Sequence, residues 1–85
     1  MIIINLKIMK LEIISPGEIM FSGDVEAVTL PGESGQFTIL KNHASLISVL
    51  KKGNVRYLHN NEESIIEIRG GLADIANNNI AVCVY

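Results

Sequence analysis

Apolar and polar residues alternate along most of this chain, and turn formers interrupt the alternation about every eight to twelve positions. Lys10–Ile14 puts Leu11 and Ile13 on one face and Glu12 on the other, the period of a half-buried strand. Ser15-Pro16-Gly17-Glu18 reads as a turn, because proline presets φ and glycine permits positive φ. Ile19–Ser22 predicts a short strand, stopped by Gly23-Asp24. Val25, Val28 and Leu30 do not keep one parity, which predicts a bulge near Glu26-Ala27. Pro31-Gly32-Glu33-Ser34-Gly35 is the strongest breaker. Phe37 and Ile39 then share a face, and Lys41-Asn42-His43 forms a polar corner.

Ala44–Leu50 predicts a further strand, although Leu46, Ile47 and Leu50 also have the spacing of a helical turn. A helix so short is marginal alone, which favours the strand. Lys51-Lys52-Gly53-Asn54 ends it. Val55, Tyr57 and His59 alternate up to a hairpin turn at Asn60-Asn61-Glu62. Ser64–Arg69 places Ile66 and Ile68 together, and Ala73 and Ile75 follow the Gly70-Gly71 corner. Asn77-Asn78-Asn79 turns the chain into Ile80–Tyr85, where Cys83 reads as a small buried apolar residue. The pattern predicts an all-β fold of about eight to ten short strands with little or no helix. Apolar residues on both faces make two sheets packed face to face the natural arrangement.

Composition supports this reading. Of the 85 residues, 48 % are apolar, and most of those are Ile, Val and Leu, which suit a pleated surface. A chain of this size makes one domain and buries only roughly 60–65 % of its unfolded surface. Residues 1–9 stand ahead of the clear pattern as an extension or extra strand, with Met9-Lys10 offering a second start; residues 10–85 form the domain. The apolar start lacks a basic leader and a small-residue cleavage site, so no signal peptide is expected. No apolar run approaches the ~18 residues that cross a bilayer. The net charge of −2 argues against nucleic acid as a partner and gives no overall attraction to anionic lipid. A single cysteine excludes an internal disulfide and fits a reducing compartment.

Candidate chemistry is sparse. His59 reads as a strand-end surface residue and His43 as a corner or interface residue. Two isolated histidines and one cysteine do not supply a metal site. The carboxylates are scattered, with no acid–base pair visible. The Gly-rich loop at Pro31–Gly35 lacks the Lys-Ser/Thr and the following helix of a phosphate-binding loop. No catalytic residue, cofactor or metal is therefore expected. A free-standing β-sandwich interaction or carrier module is the alternative, but Lys51 and Lys52 lack the flanking pattern of a modified lysine.

The run SPGEIMFSGDVEAVTLPGESGQFTIL at Ser15–Leu40, Asn42-His43-Ala44, Leu50-Lys51-Lys52-Gly53-Asn54-Val55 and Gly70-Gly71-Leu72-Ala73-Asp74-Ile75 occur in one order. In that order they resemble the N-terminal β-domain of the epsilon subunit of rotary ATP synthase, over Lys10–Val84. The resemblance implies a β-sandwich of about ten strands and a non-catalytic place in the central stalk, at the cytoplasmic face of a bacterial inner membrane. The implied partners are the gamma subunit and the c-subunit ring, with the alpha/beta head touched only indirectly and no membrane insertion. It further implies ring-facing loops at Glu33, Ser34, Gly35, Gln36, Lys41, Asn42 and His43. Gln36 stands where the family often has an acidic residue, and Lys41-Asn42 where it often has Pro-Gly. Ile14, Leu58, Ile65 and Leu72 are the candidates for the gamma-facing side. Family members commonly continue into a helical hairpin that inhibits ATP hydrolysis and, in some, binds ATP. This sequence stops at Tyr85 in the final strand, so neither property is expected of it.

Overall fold

The computed structural model describes residues 8–85, and their regular structure is all β-strand. In chain order the strands are β1 (Met9–Ser15), β2 (Glu18–Val25), β3 (Ala27–Gly32), β4 (Gly35–Ile39) and β5 (Leu46–Leu50). After these come β6 (Gly53–His59), β7 (Glu62–Ile68), β8 (Gly71–Ala76) and β9 (Asn79–Val84). They hydrogen-bond in the order β2-β1-β9-β8-β5-β3-β6-β7, with β4 on the other edge of β3. Between β5 and β3 the ladder narrows to one pair, Gly32 with Leu50. At that waist the ladder folds over, so β2-β1-β9-β8-β5 faces β4-β3-β6-β7. Every pairing is antiparallel except β1 with β9.

Alternation explains which side chains meet inside. Leu11 and Ile13 of β1, Ala73 and Ile75 of β8, and Ile80, Val82 and Val84 of β9 are buried. From the other half come Val28, Leu30, Ile39, Val55, Tyr57 and Ile68, and all form one core cluster. Polar side chains stay out: none is buried among the described residues. Phe21 closes the side between β2 and β6. Its ring lies 4.4 Å from that of Tyr57, tilted by 42°, and meets His59 edge-on at 5.5 Å. Gly23 makes room for this ring, since a Cβ there would lie 3.1 Å from Phe21 Cζ.

Several expectations change in detail. Nine strands lie among the described residues, in keeping with a sandwich of about ten; the extra strand expected at the start of the chain falls mostly on residues 1–7, outside the described residues. Leu46–Leu50 is a strand, which removes the helical alternative, and it starts two residues later than expected. Gly23-Asp24 does not stop the second strand, because both residues pair with β1. The parity break at Glu26-Ala27 is a bend where the chain leaves β1 and joins β6, with Glu26 N–H donating to the Leu58 carbonyl at 2.9 Å. The ladder bulge lies earlier: Ile13 pairs with Phe21 and Ile14 with Ile19, leaving Met20 as the extra residue. Cys83 is exposed rather than buried, because positions 80, 82 and 84 take the inward face of β9. Of the expected extension at residues 1–9, residues 1–7 lie outside the described residues, and Met9 opens β1.

Candidate protein-docking surfaces

The seven residues expected at ring-facing loops occupy both ends of β4. At one end, Glu33 and Ser34 turn the chain between β3 and β4, and Gly35 and Gln36 begin β4. All four are exposed. Glu33 N–H donates to the Val49 carbonyl at 2.9 Å, tying this turn to β5. Gly35 has φ +138°, a conformation that glycine adopts without steric cost.

At the other end, Lys41 and Asn42 form the turn after β4. His43 N–H donates to the Leu40 carbonyl at 3.1 Å, closing it. Asn42 has φ 67°, and its N–H donates to Asn78 Oδ1 at 2.6 Å. Asn78 Nδ2 returns a long bond to Asn42 Oδ1 at 3.4 Å. The corner is thereby pinned to the β8–β9 turn. His43 is exposed, and its Nδ1–H donates to the Ala44 carbonyl at 2.7 Å. A five-residue strand spans about 17 Å, so the seven residues make two clusters rather than one patch. A partner that touched both would lie along the β4 edge, which no described strand covers.

The four gamma-facing candidates divide between two faces. Leu58 and Ile65 lie on the outer face of the β4-β3-β6-β7 half, where Ile65 pairs with Arg56 and Leu58 with Ala27. Ile14 and Leu72 lie on the outer face of the other half, and there they belong to a longer row. Val49 pairs with Leu72, Leu72 with Cys83, Cys83 with Ile14, and Ile14 with Ile19. Five apolar side chains therefore cross β5, β8, β9, β1 and β2 in one line about 19 Å long, at about 4.8 Å per strand step. Ile19 is 63 % exposed, Val49 51 % and Leu72 46 %. The neighbouring row runs Ile47, Asp74, Ala81, Glu12 and Ser22. Sequence reasoning missed Val49, Ile19 and Cys83 in this surface. A strand's own alternation tells which residues share a face, but only inter-strand register tells which residues of five strands share a row.

His59 Nδ1–H donates to the Asp24 carbonyl at 2.5 Å, a structural bond across the β2–β6 closure. Among the described residues no group of three or more His, Cys, Asp and Glu side chains is placed to hold a metal ion. No helix among them is long and apolar enough to cross a membrane. The surfaces offer shape, apolar area and backbone-fixed polar turns, which suit protein docking.

Residues 8–85 match the family described as ATP synthase, Delta/Epsilon chain, beta-sandwich domain. The chain is 40 % identical over 77 residues to the ATP synthase epsilon chain of Nitratiruptor sp., covering 89 % of this chain and 60 % of that one. It is 41 % identical over 73 residues to the ATP synthase epsilon chain of Chlorobium limicola, covering 85 % of this chain and 83 % of that one. Among solved structures, a chain in the Euglena gracilis mitochondrial ATP synthase (OSCP/F1/c-ring, rotational state 1) superposes with a TM-score of 0.85 at 19 % identity. That match covers 95 % of this chain and 52 % of its counterpart.

Proposed function

The chain belongs to the family of ATP synthase delta/epsilon-chain β-sandwich domains, and on that premise we propose that it is a non-catalytic rotor subunit of the enzyme's central stalk. In this reading it binds the gamma subunit and the c-subunit ring, and it helps transmit ring rotation, driven by proton transport, to ATP synthesis. It meets the alpha/beta head only indirectly, and works as a peripheral protein at the cytoplasmic face of a bacterial inner membrane.

The row Val49–Leu72–Cys83–Ile14–Ile19 carries this reading. An apolar line across five strands, exposed at Val49, Leu72, Cys83 and Ile19 and half-buried at Ile14, costs solubility and lies outside the core, so it is best explained by a partner that covers it. We assign it to the gamma subunit. Glu12 and Asp74 in the adjacent row favour a basic group on the partner beside its apolar stripe. Leu58 and Ile65, on the opposite face, fall outside this contact. The polar turns at Glu33–Gln36 and Lys41–His43 are assigned to the ring, with β4 lying along it.

Co-expression with the gamma subunit of the same organism, followed by size-exclusion chromatography, tests the assignment. A stable one-to-one complex is expected. Failure to form a complex while the isolated chain is folded overturns it.

A further inference from the structure

A concavity of about 270 Å³ opens on the outer face of the β4-β3-β6-β7 half, away from the apolar row. Pro31 and Gly53 form its floor. A Cβ on Gly53 would lie 2.8 Å from Pro31 Cβ, so the glycine keeps the floor low. Around the floor stand Lys51, Lys52 and Arg56, with Thr29, Gln36 and Asn54 between them. Lys51 N–H donates to the Pro31 carbonyl at 2.9 Å, which holds the β5–β6 turn over this site. The lining is thus three cations and three neutral hydrogen-bonding side chains, with no carboxylate.

This is a local reversal of sign in a chain whose net charge is −2. Two carboxylates of β7 neighbour the lining residues. Glu63 lies 3.6 Å from Arg56, an exposed pair that neutralises it weakly. Glu67 pairs with Asn54 across the strands, but neither acid lines the concavity. Lys51 and Lys52 make no ion pair among the described residues. Two lysines without an ion pair and an arginine, all lining one polar hollow, match a compact anion with several acceptor oxygens. Thr29, Gln36 and Asn54 add neutral donors for the remaining oxygens.

We infer that this concavity is a phosphate-binding site, occupied by free phosphate or by the phosphodiester of an anionic lipid headgroup. The two sources share the chemistry of recognition and differ in whether a membrane is needed. The inference stands on the lining alone and does not depend on the rotor reading.

The test is an NMR titration of the full chain with inorganic phosphate against chloride at matched ionic strength. It is paired with co-sedimentation on phosphatidylglycerol/phosphatidylcholine vesicles and on phosphatidylcholine alone. Lys51 and Lys52 are exposed, so the Lys51→Gln/Lys52→Gln variant folds as the parent does, and its spectrum checks this. Losing even one charge-assisted bond is expected to weaken binding about tenfold, and binding should fall with added salt. Saturable shifts confined to Thr29, Gln36, Lys51–Asn54 and Arg56, lost in the variant, establish the soluble anion. Sedimentation only with phosphatidylglycerol, also lost in the variant, establishes the headgroup. The absence of both, or binding that the variant leaves unchanged, overturns the site.

Discussion

Among the described residues five asparagines hold left-handed backbone: Asn42, Asn60, Asn61, Asn77 and Asn78, with φ between 51° and 67°. Asparagine tolerates this region because its short polar side chain bonds locally, whereas other side chains crowd the carbonyl. Asn60 and Asn61 make the two-residue turn between β6 and β7. Asn61→Ala should therefore cost about 1 kcal/mol in urea unfolding, while Asn61→Gly costs little. Two glycines separate conformational from spatial necessity. At Gly35 a Cβ would meet nothing within 4 Å, so only the backbone resists substitution, and Gly35→Ala should cost about 1–3 kcal/mol. At Gly71 a Cβ would strike the Cys83 carbonyl oxygen and lie 3.1 Å from Val84 Cα. Backbone cannot yield as a side-chain tip can, so Gly71→Ala should cost about 3 kcal/mol or more. Thermal unfolding of the two variants side by side checks the order.

At the level of elements, the outer row on β5, β8, β9, β1 and β2 separates binding from folding. Leu72 is 46 % exposed, so Leu72→Asp should change stability by no more than about 0.5 kcal/mol. The same change should weaken gamma-subunit binding by tenfold or more in calorimetric titration, because a charge would be desolvated at the centre of the contact. Ile65→Asp, on the opposite face, should leave that affinity unchanged. In the complex Cys83 should resist thiol reagents that label the isolated chain. Equal losses from both substitutions would show that the two faces had been assigned wrongly.

For the whole molecule, stability rests on one core shared by both halves. A chain of 85 residues has about 4–13 kcal/mol to lose. Leu11 is fully buried in β1, and Leu11→Ala should remove about 2–5 kcal/mol. In a fold of this size that is a large share of the total. Circular dichroism should show either one transition at much lower denaturant or a population already unfolded. The first and last strands lie side by side, β1 with β9. Half of the sandwich therefore cannot close until the C-terminal strand arrives, and folding in the millisecond-to-second range is expected.

Local pattern determined much of this protein. Alternation at Leu11/Ile13, Val55/Tyr57 and Ala73/Ile75, with breakers at Pro16-Gly17 and Asn60-Asn61, specified strands, turns and inward faces, since each depends on neighbours a few residues away. The ordered motifs from Ser15 to Ile75 specified the family. Tertiary structure decided what local pattern could not. Cys83 carries the same parity as any residue of an alternating strand until Val82 and Val84 are seen facing the core. Val49, Leu72, Ile14 and Ile19 become one surface only through the register of five strands, three of whose four pairings join residues distant in sequence or across a bulge. Lys51, Lys52 and Arg56 surround one hollow only because Pro31, twenty residues before Lys51, forms its floor. Strand identity is encoded locally, whereas rows and hollows are made by pairing, and pairing is settled by the core as a whole.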